Sequence, residues 1–179
     1  MATENEPLVV EGDEQRRAIL RGWLRDHGAL ISKVVRSWAS STHDGEDLLQ
    51  EIALQLWESI PRWEGRSALS TWIYRVALYA AMAWSRRERG HRDRASTLEV
   101  EAALASEART DADDPRVEWL YAEIGRLGNV DRSIALLLLD GWSYRGMADA
   151  LGITEKNVSV RIHRIKKALV ERSNESELV

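Results

Sequence analysis

The side chains that suit contact with DNA bases recur on one face of the segment 155–171. Spaced at 100° per residue, amide, aliphatic and guanidinium groups fall together there, and they match the edges of adenine, the thymine methyl and guanine. Lysines on the same face suit phosphate oxygens. We expect the outward face to contain Lys156, Asn157, Val160, His163, Arg164 and Lys167. The alternative is a solvated basic helix in an ordinary helical bundle.

The residues around this segment have the pattern of a helix-turn-helix. Ser143 is a suitable N-cap for a short helix, Gly152 permits a tight turn, and Thr154 is a suitable cap for the second helix. In this motif the second helix enters the major groove. The positions expected to face inward are Met147, Ala148, Leu151, Val158, Ile162, Ile165 and Leu169.

A helix predicted over 45–60 has an apolar face and an acidic face. The predicted core stripe is Leu48, Leu49, Ile52, Leu56 and Ile60. The opposite face contains Asp47, Gln50, Glu51, Leu54 and Glu58, with Trp57 on its flank. A leucine at the centre of an acidic face suits a basic partner helix. Single exposed leucines are common, however, and from these residues alone the simple solvated face is favoured.

The helix predicted over 67–90 presents aromatic rings beside guanidinium groups. Its predicted buried positions are Leu69, Trp72, Ile73, Val76, Ala77, Ala80 and Trp84. The other face is predicted to contain Thr71, Tyr74, Arg75, Leu78, Tyr79, Met82, Arg86 and Arg89. Such a face suits single-stranded bases, which stack on rings while arginines hold the backbone. The alternative is a second packing face against the first helix, and the residues leave both open.

Apolar spacing is helical nearly throughout, and no stretch alternates as a half-buried strand would. We therefore predict an all-α protein of two small helical domains joined by an acidic linker, the C-terminal one a helix-turn-helix. One helix is expected over 20–38, weakened at Gly22 and Gly28, and the next is expected to start after Asp44 as its cap. The C-terminal helices are predicted at 116–127, 131–140, 144–151 and 155–171.

Charge is partitioned along the 179 residues, although the formal net charge is only −4. Residues 1–15, an acidic tail expected to be flexible, carry five acids and no Lys or Arg. Residues 16–94 have a net charge of +5, residues 95–115 of −5, and residues 116–179 of +1. Phosphate attraction is screened beyond about 8–10 Å, so the local charge decides DNA contact. We predict two domains, 16–94 and 116–179, with 95–115 as the linker.

The composition also limits other functions. Cysteine is absent, and the four histidines lie far apart without metal-ligand spacing, so we expect neither metal nor cofactor. The N-terminus lacks the pattern of a signal peptide, and no apolar run approaches the roughly 20 residues that span a bilayer. We therefore expect a soluble cytoplasmic protein. No glycine-rich phosphate loop or nucleophile constellation suggests an enzyme.

Three motifs, in this order, resemble those of the extracytoplasmic-function (ECF) sigma factors, the minimal members of the primary-sigma family. DLLQEIALQLW, at 47–57, resembles the family's DxxQExFLxxW helix. RWEGRSALSTWIYRVA, at 62–77, resembles its FxGxxxFxxWLYxIA pattern. SYRGMADALGITEKNVSVRIHRIKKAL, at 143–169, resembles its helix-turn-helix, SYxEIAxxLGIxxGTVxSRxHRAxxxL.

The resemblance implies a protein that binds RNA polymerase core and directs promoter recognition, opening and initiation. It implies that the clamp helices of the largest polymerase subunit are bound by Asp47, Gln50, Glu51, Leu54 and Trp57, and we expect Glu58, on the same face, to join them. It implies that the loop from Trp63 to Leu69 captures a flipped minus-ten base. With the outward face of the next helix, the residues expected to read this element are Trp63, Glu64, Gly65, Arg66, Ser67, Arg75, Tyr79, Arg86 and Arg89. The resemblance matches Arg161, His163 and Arg164 to the family's arginine-x-histidine-arginine. With the outward face described above, the residues expected to read the minus-thirty-five element are Lys156, Asn157, Val160, Arg161, His163, Arg164 and Lys167. The flap of the second-largest polymerase subunit is a further implied partner, and whether an anti-sigma factor is another is left open.

Several positions depart from the family pattern. Tyr79 stands where many members have Asn, and Ala83 where they often have Asp. Gly128 replaces the proline of a usual Leu-Pro pair, and Ser159 and Val160 replace a common Lys-Ser. The promoter sequences of relatives therefore do not transfer to this chain.

Two other classes of binding protein remain as alternatives. A self-sufficient helix-turn-helix regulator would form a symmetric dimer and bind duplex DNA tightly without polymerase. An adaptor would bind polymerase without reading promoters.

Overall fold

The computed structural model describes the backbone of residues 12–95 and 114–176 and the side chains of 12–88 and 114–174. Every regular element in these ranges is helical, as predicted. The chain divides into two compact units, Met1–Asp111 and Ala112–Val179. The predicted acidic linker and N-terminal tail lie almost wholly outside the described residues, so the domain limits 16–94, 95–115 and 116–179 stay a prediction.

The first unit contains four α-helices within its described part. They are α1 (Asp13–Asp26), α2 (Gly28–Trp38), α3 (Thr42–Ser59) and α4 (Leu69–Ala95), with a short 3-10 helix at Ile60–Arg62. The helix expected to run continuously to Trp38 is interrupted at His27, where α1 ends and α2 begins. Gly22 lies inside α1, so the break comes next to Gly28 only.

The start of α3 differs from the prediction by three residues. Ser41, not Asp44, is the cap, because the Ser41 hydroxyl accepts a hydrogen bond from the backbone N–H of Asp44 at 3.1 Å. The Asp44 carboxylate instead accepts a hydrogen bond from the Ser40 hydroxyl at 2.9 Å. Serine and aspartate are both good caps, and the sequence pattern alone did not rank them.

The core of the first unit is built around α4, which packs against both α2 and α3. Leu48, Ile52, Leu56 and Ile60 are fully buried, as predicted. Leu49, predicted to be in the same stripe, is 45% exposed, because at 100° per residue it lies at the edge of that stripe.

The predicted outward face of α4 is partly wrong. Tyr74, Leu78 and Met82 are buried, because helices approach α4 from more than one side. Three positions predicted to be buried, Leu69, Trp72 and Val76, are only partly covered. The second packing face, which the sequence left open, therefore exists for part of this helix.

The second unit contains α5 (Pro115–Gly125), α6 (Asn129–Leu139), α7 (Tyr144–Leu151) and α8 (Glu155–Ser176). The predicted caps and the glycine turn of the helix-turn-helix are confirmed. The Ser143 hydroxyl caps α7, Gly152 adopts φ +66°, and the Thr154 hydroxyl accepts from the Asn157 N–H at 3.2 Å.

The packing of α8 in this unit follows the predicted stripe. Val158, Ile162 and Ile165 are buried against α6 and α7, and Leu169 is partly covered. Farther along, Arg172 donates to the buried carboxylate of Glu123 at 2.9 Å, which ties α8 to α5.

Candidate partner and nucleic-acid interfaces

The acidic face of α3 is open to solvent and has an exposed leucine in it. Leu54 is 51% exposed, and Asp47, Gln50 and Glu58 are exposed as well. A polar face with a large, half-exposed hydrophobic side chain in it has the composition of a protein contact surface. The helical register that buries Leu48 and Ile52 is what turns this face outward.

A shallow groove runs between this face and α4. It has a volume of about 480 Å³ and is lined by Asp47, Gln50, Glu51, Leu54, Trp84, Arg87 and Glu88. Arg87 donates to Glu51 at 2.9 Å across it. Sequence reasoning missed Arg87 and Glu88, because only packing of α4 on α3 brings them beside the acidic face.

Trp57 lies on the flank of α3 and is partly covered. The guanidinium of Arg16, from α1, is 5.8 Å from the centroid of the Trp57 ring. This distance is within the range of a cation–π contact. One face of the ring is therefore already in contact within the unit.

The loop 63–68 is anchored by its first residue. Trp63 is only 5% exposed, and its ring meets Trp23 edge to face with centroids 6.5 Å apart. Burial of a large aromatic ring against another is more favourable than leaving it in a loop at the surface. Trp63, which we expected to take part in reading the minus-ten element, is therefore buried and holds the loop in place.

The rest of the loop is accessible and polar. Glu64 and Arg66 are exposed and form an ion pair at 2.6 Å. Gly65 adopts φ +68°, a left-handed conformation that favours glycine, and Ser67 is partly covered. The hydrogen-bonding groups expected in this loop are thus presented to solvent around a tight glycine turn.

A cleft beside this loop lies between the end of α3 and the outer side of α4. It has a volume of about 280 Å³ and is lined by Gln55, Ser59, Arg62, Trp72, Arg75, Val76, Tyr79, Ala80 and Ala83. Tyr79 is 46% exposed at its edge. The indole N–H of Trp72 donates to the Ser59 hydroxyl at 3.2 Å, which fixes the cleft wall.

Three polar cleft residues, Gln55, Ser59 and Arg62, were not predicted. Arg62 and Gln55 come from the 3-10 helix and α3, and only the fold brings them next to Arg75. Arg86 is exposed on α4, whereas the side chain of Arg89 lies outside the described residues. The rings and guanidiniums of this cleft suit a single-stranded nucleotide.

The outward face of α8 is exposed. Lys156, Asn157, Val160, His163, Arg164 and Lys167 are all accessible to solvent. Arg161 differs from them, because it is partly covered and donates to Asp131 of α6 at 2.6 Å. Asp131 also contacts Arg164, at 3.1 Å, and no sequence signal pointed to it across 30 residues.

Within the described ranges, 12–95 and 114–176, no group of three or more histidine or acidic side chains is arranged to hold a metal ion. In the same ranges, no helix has the length and apolar character required to cross a bilayer.

The sequence matches two known families in the order of the units. Residues 23–91 match sigma-70 region 2, and residues 118–169 match sigma-70 region 4. The chain is 30% identical over 149 residues to RNA polymerase sigma factor CarQ of Myxococcus xanthus, covering 83% of each protein. It is 28% identical over 131 residues to ECF RNA polymerase sigma factor SigX of Bacillus subtilis, covering 69% of this chain and 68% of SigX.

The fold is also similar to a solved structure. The chain aligns with the sigma factor RpoE of Bartonella quintana, crystallised in complex with the anti-sigma factor NepR, with a TM-score of 0.66. The alignment covers 87% of this chain and 96% of RpoE at 19% identity, and it supports the fold alone.

Proposed function

Since this chain belongs to the ECF group of RNA polymerase sigma factors, which bind polymerase core and direct it to promoters, we propose that its surfaces divide that work. The first unit binds core polymerase and the minus-ten element, and the second binds the minus-thirty-five element. The observation that carries the proposal is the accessible face of α8, where an amide, a guanidinium and lysines stand beside each other on a capped helix-turn-helix.

Polymerase binding is assigned to the acidic face of α3. In this proposal Asp47, Gln50, Glu51 and Glu58 attract a basic partner helix, and Leu54 enters its apolar surface. The clamp helices of the largest polymerase subunit are the proposed partner. Trp57 contributes through the part of its ring that Arg16 leaves open.

The minus-ten element is assigned to the polar loop residues Glu64–Ser67 together with the cleft beside Tyr79. A base can be read in single-stranded form only after it leaves the stack, at a cost of a few kcal/mol that contacts must recover. The cleft, with a volume of about 280 Å³, supplies rings and arginines for this. Because Tyr79 offers a ring where relatives offer an amide, we expect stacking there with weak base discrimination.

The minus-thirty-five element is assigned to α8. Asn157 and Arg164 are the proposed readers of base edges, Val160 contacts a thymine methyl, and Lys156 and Lys167 bind phosphates. Each unit offers few phosphate contacts. We therefore propose that promoter binding by the free protein is weak and depends on polymerase.

Further proposed partners and the proposed cellular location also rest on membership of the ECF group. The flap of the second-largest subunit is proposed to contact the second unit, where Leu139 and Tyr144 are exposed large hydrophobic side chains. An anti-sigma factor is a further proposed partner, in line with the RpoE complex. We also propose that the protein works in the cytoplasm and catalyses no reaction of its own, since the polymerase carries the active site.

Run-off transcription with purified core polymerase tests this assignment. The full chain is expected to support initiation from a promoter selected out of a random library, and core alone is expected not to. Binding to core without transcription from any library member would indicate the adaptor. Nanomolar binding of the free protein to duplex promoter DNA at physiological salt would indicate the self-sufficient regulator.

A further inference from the structure

One carboxylate of the second unit connects the two side chains that are proposed to read bases. The Asp131 Oδ1 atom accepts from Arg161 at 2.6 Å, and its Oδ2 atom accepts from Arg164 at 3.1 Å. Arg161 also donates, through its Nε, to the Asn157 Oδ1 atom at 2.6 Å. The contacts form a single network from α6 across the outward face of α8.

The network restrains Asn157 through its amide oxygen. An asparagine reads adenine by accepting from the base N6 amino group and donating to N7, so the amide must point its oxygen and nitrogen in the correct directions. The bond from Arg161 defines where Oδ1 lies and uses one of its two lone pairs, and the amide nitrogen of the same group has two N–H donors for a base. The Arg161 guanidinium donates to both Asp131 and Asn157 and so links these two side chains. Arg161 itself is partly covered.

The network restrains Arg164 in a different way. The Asp131 carboxylate accepts a hydrogen bond from one terminal nitrogen of the Arg164 guanidinium, and the Arg164 side chain remains largely exposed. A guanidinium has five N–H donors in a planar fork, so donors remain for the O6 and N7 atoms of guanine. A long side chain held at one end has fewer conformations to lose when it binds.

The charge of Asp131 matters as well as its geometry. A carboxylate beside the reading face repels phosphate and offsets part of the attraction of the two arginines. Without it, both guanidiniums could move to the DNA backbone, which carries no direct sequence information. We propose that Asp131 is a positioning residue that determines minus-thirty-five specificity, by orienting Asn157 through Arg161 and holding Arg164 away from phosphates. This inference rests on the proposed role of α8.

The test uses holoenzyme reconstituted from the full chain and core polymerase, bound to promoters whose minus-thirty-five element is randomised. Asp131→Asn keeps the shape of the side chain and removes its charge. We expect discrimination at the positions read by Asn157 and Arg164 to fall by roughly tenfold, within the range of one bidentate base contact. Binding to scrambled duplex should rise, and the slope of log affinity against log salt should steepen by about 1 for each arginine that reaches a phosphate.

Two variants serve as matched controls. Asp149→Asn removes the same charge from α7 at an exposed position and should leave the discrimination unchanged. Asp131→Glu keeps the carboxylate and should recover most of the selectivity. A purely structural role for Asp131 would lower binding to all sequences together, with thermal unfolding shifted, and would leave the ratio between sequences as it was.

Failure of this inference can be told from failure of the proposed function. Lys167→Ala, assayed in the same way, reports whether α8 touches DNA at all. If Lys167→Ala weakens binding while Asp131→Asn changes neither the discrimination nor the salt slope, the role of Asp131 is wrong. If neither variant has an effect, the assignment of α8 to the minus-thirty-five element is wrong and the inference falls with it.

Discussion

In α4, buried side chains cover about 200° of the helix surface, whereas in α8 they cover about 60°, counted at 100° per residue. Both helices are long, and in both the sequence predicted one apolar face and one face with basic side chains. In α8 the basic face remains exposed to solvent. On the predicted outward face of α4, Tyr79 and Arg86 remain exposed and Arg75 is partly covered. Much of the rest of that face is buried, because α4 packs against both α2 and α3.

This difference shows what an amphipathic pattern can and cannot indicate. A hydrophobic pattern identifies the most apolar stripe of a helix. It does not indicate on how many sides other helices pack against that helix. Tyr74 and Leu78 are compatible with a nucleic-acid face and with a core, and their neighbours in space decide between the two. The contrast between α4 and α8 can be tested by mutation.

The largest expected effect comes from the buried second face of α4. Leu78→Ala should lower the free energy of unfolding by about 2–5 kcal/mol, because it leaves a cavity in the core. Val160→Ala, on the exposed face of α8, should change it by no more than about 0.5 kcal/mol. Urea unfolding of the full chain, followed by circular dichroism, measures both. A cost below about 1 kcal/mol for Leu78→Ala would mean that α4 has one packed face, like α8.

The next effect concerns the acidic face of α3, which stays open although α4 packs behind it. Leu54→Lys should weaken binding to core polymerase by about 2 kcal/mol or more, as expected for a central contact, and leave unfolding unchanged. Leu49→Lys is the matched control, because Leu49 is similarly exposed but lies on the opposite flank of α3. Titration of labelled protein with core polymerase measures the loss. Equal losses in the two variants would contradict the assignment of this face.

A smaller effect is expected on the open face of α8. Arg164→Ala should cost about 1–3 kcal/mol at one minus-thirty-five base position, if its guanidinium contacts a guanine. Lys167→Ala should weaken binding evenly across sequences, because a phosphate contact carries no sequence information. Holoenzyme binding to single-base variants of the element measures both. A loss from Arg164→Ala that is the same for every variant would make it a phosphate contact.

The smallest change in overall affinity is expected from exchange of the loop beside α4. Replacing Glu64–Ser67 by the loop of a relative with a different minus-ten preference should change which base is preferred. Trp63 is kept in this exchange, since its packing on Trp23 anchors the loop. Transcription from a randomised minus-ten library measures the preference. If the chimera folds and binds core but keeps the original preference, the minus-ten base is selected by Arg75, Tyr79 and Arg86 on α4 and not by the loop.

Local chemistry explains why the second unit was predicted well. The caps Ser143 and Thr154 and the left-handed Gly152 act over three or four residues. The sequence alone therefore indicates where α7 and α8 begin and where the turn between them lies. The stripe of Val158, Ile162 and Ile165 then determines which face of α8 is exposed to solvent. The all-helical class and the exposed Leu54 on its acidic face followed in the same way from the period of the pattern.

Only the tertiary structure decided the features that depend on residues far apart in the chain. Trp63 changed from an expected base contact to an anchor because Trp23, 40 positions earlier, lies against its ring. Arg62 joined the cleft beside Arg75 because the 3-10 helix ends next to α4. Asp131 reached Arg161 and Arg164 because α6 packs on α8. Burial and ion pairing depend on which surfaces meet, and that is a property of the packed helices and not of any single segment.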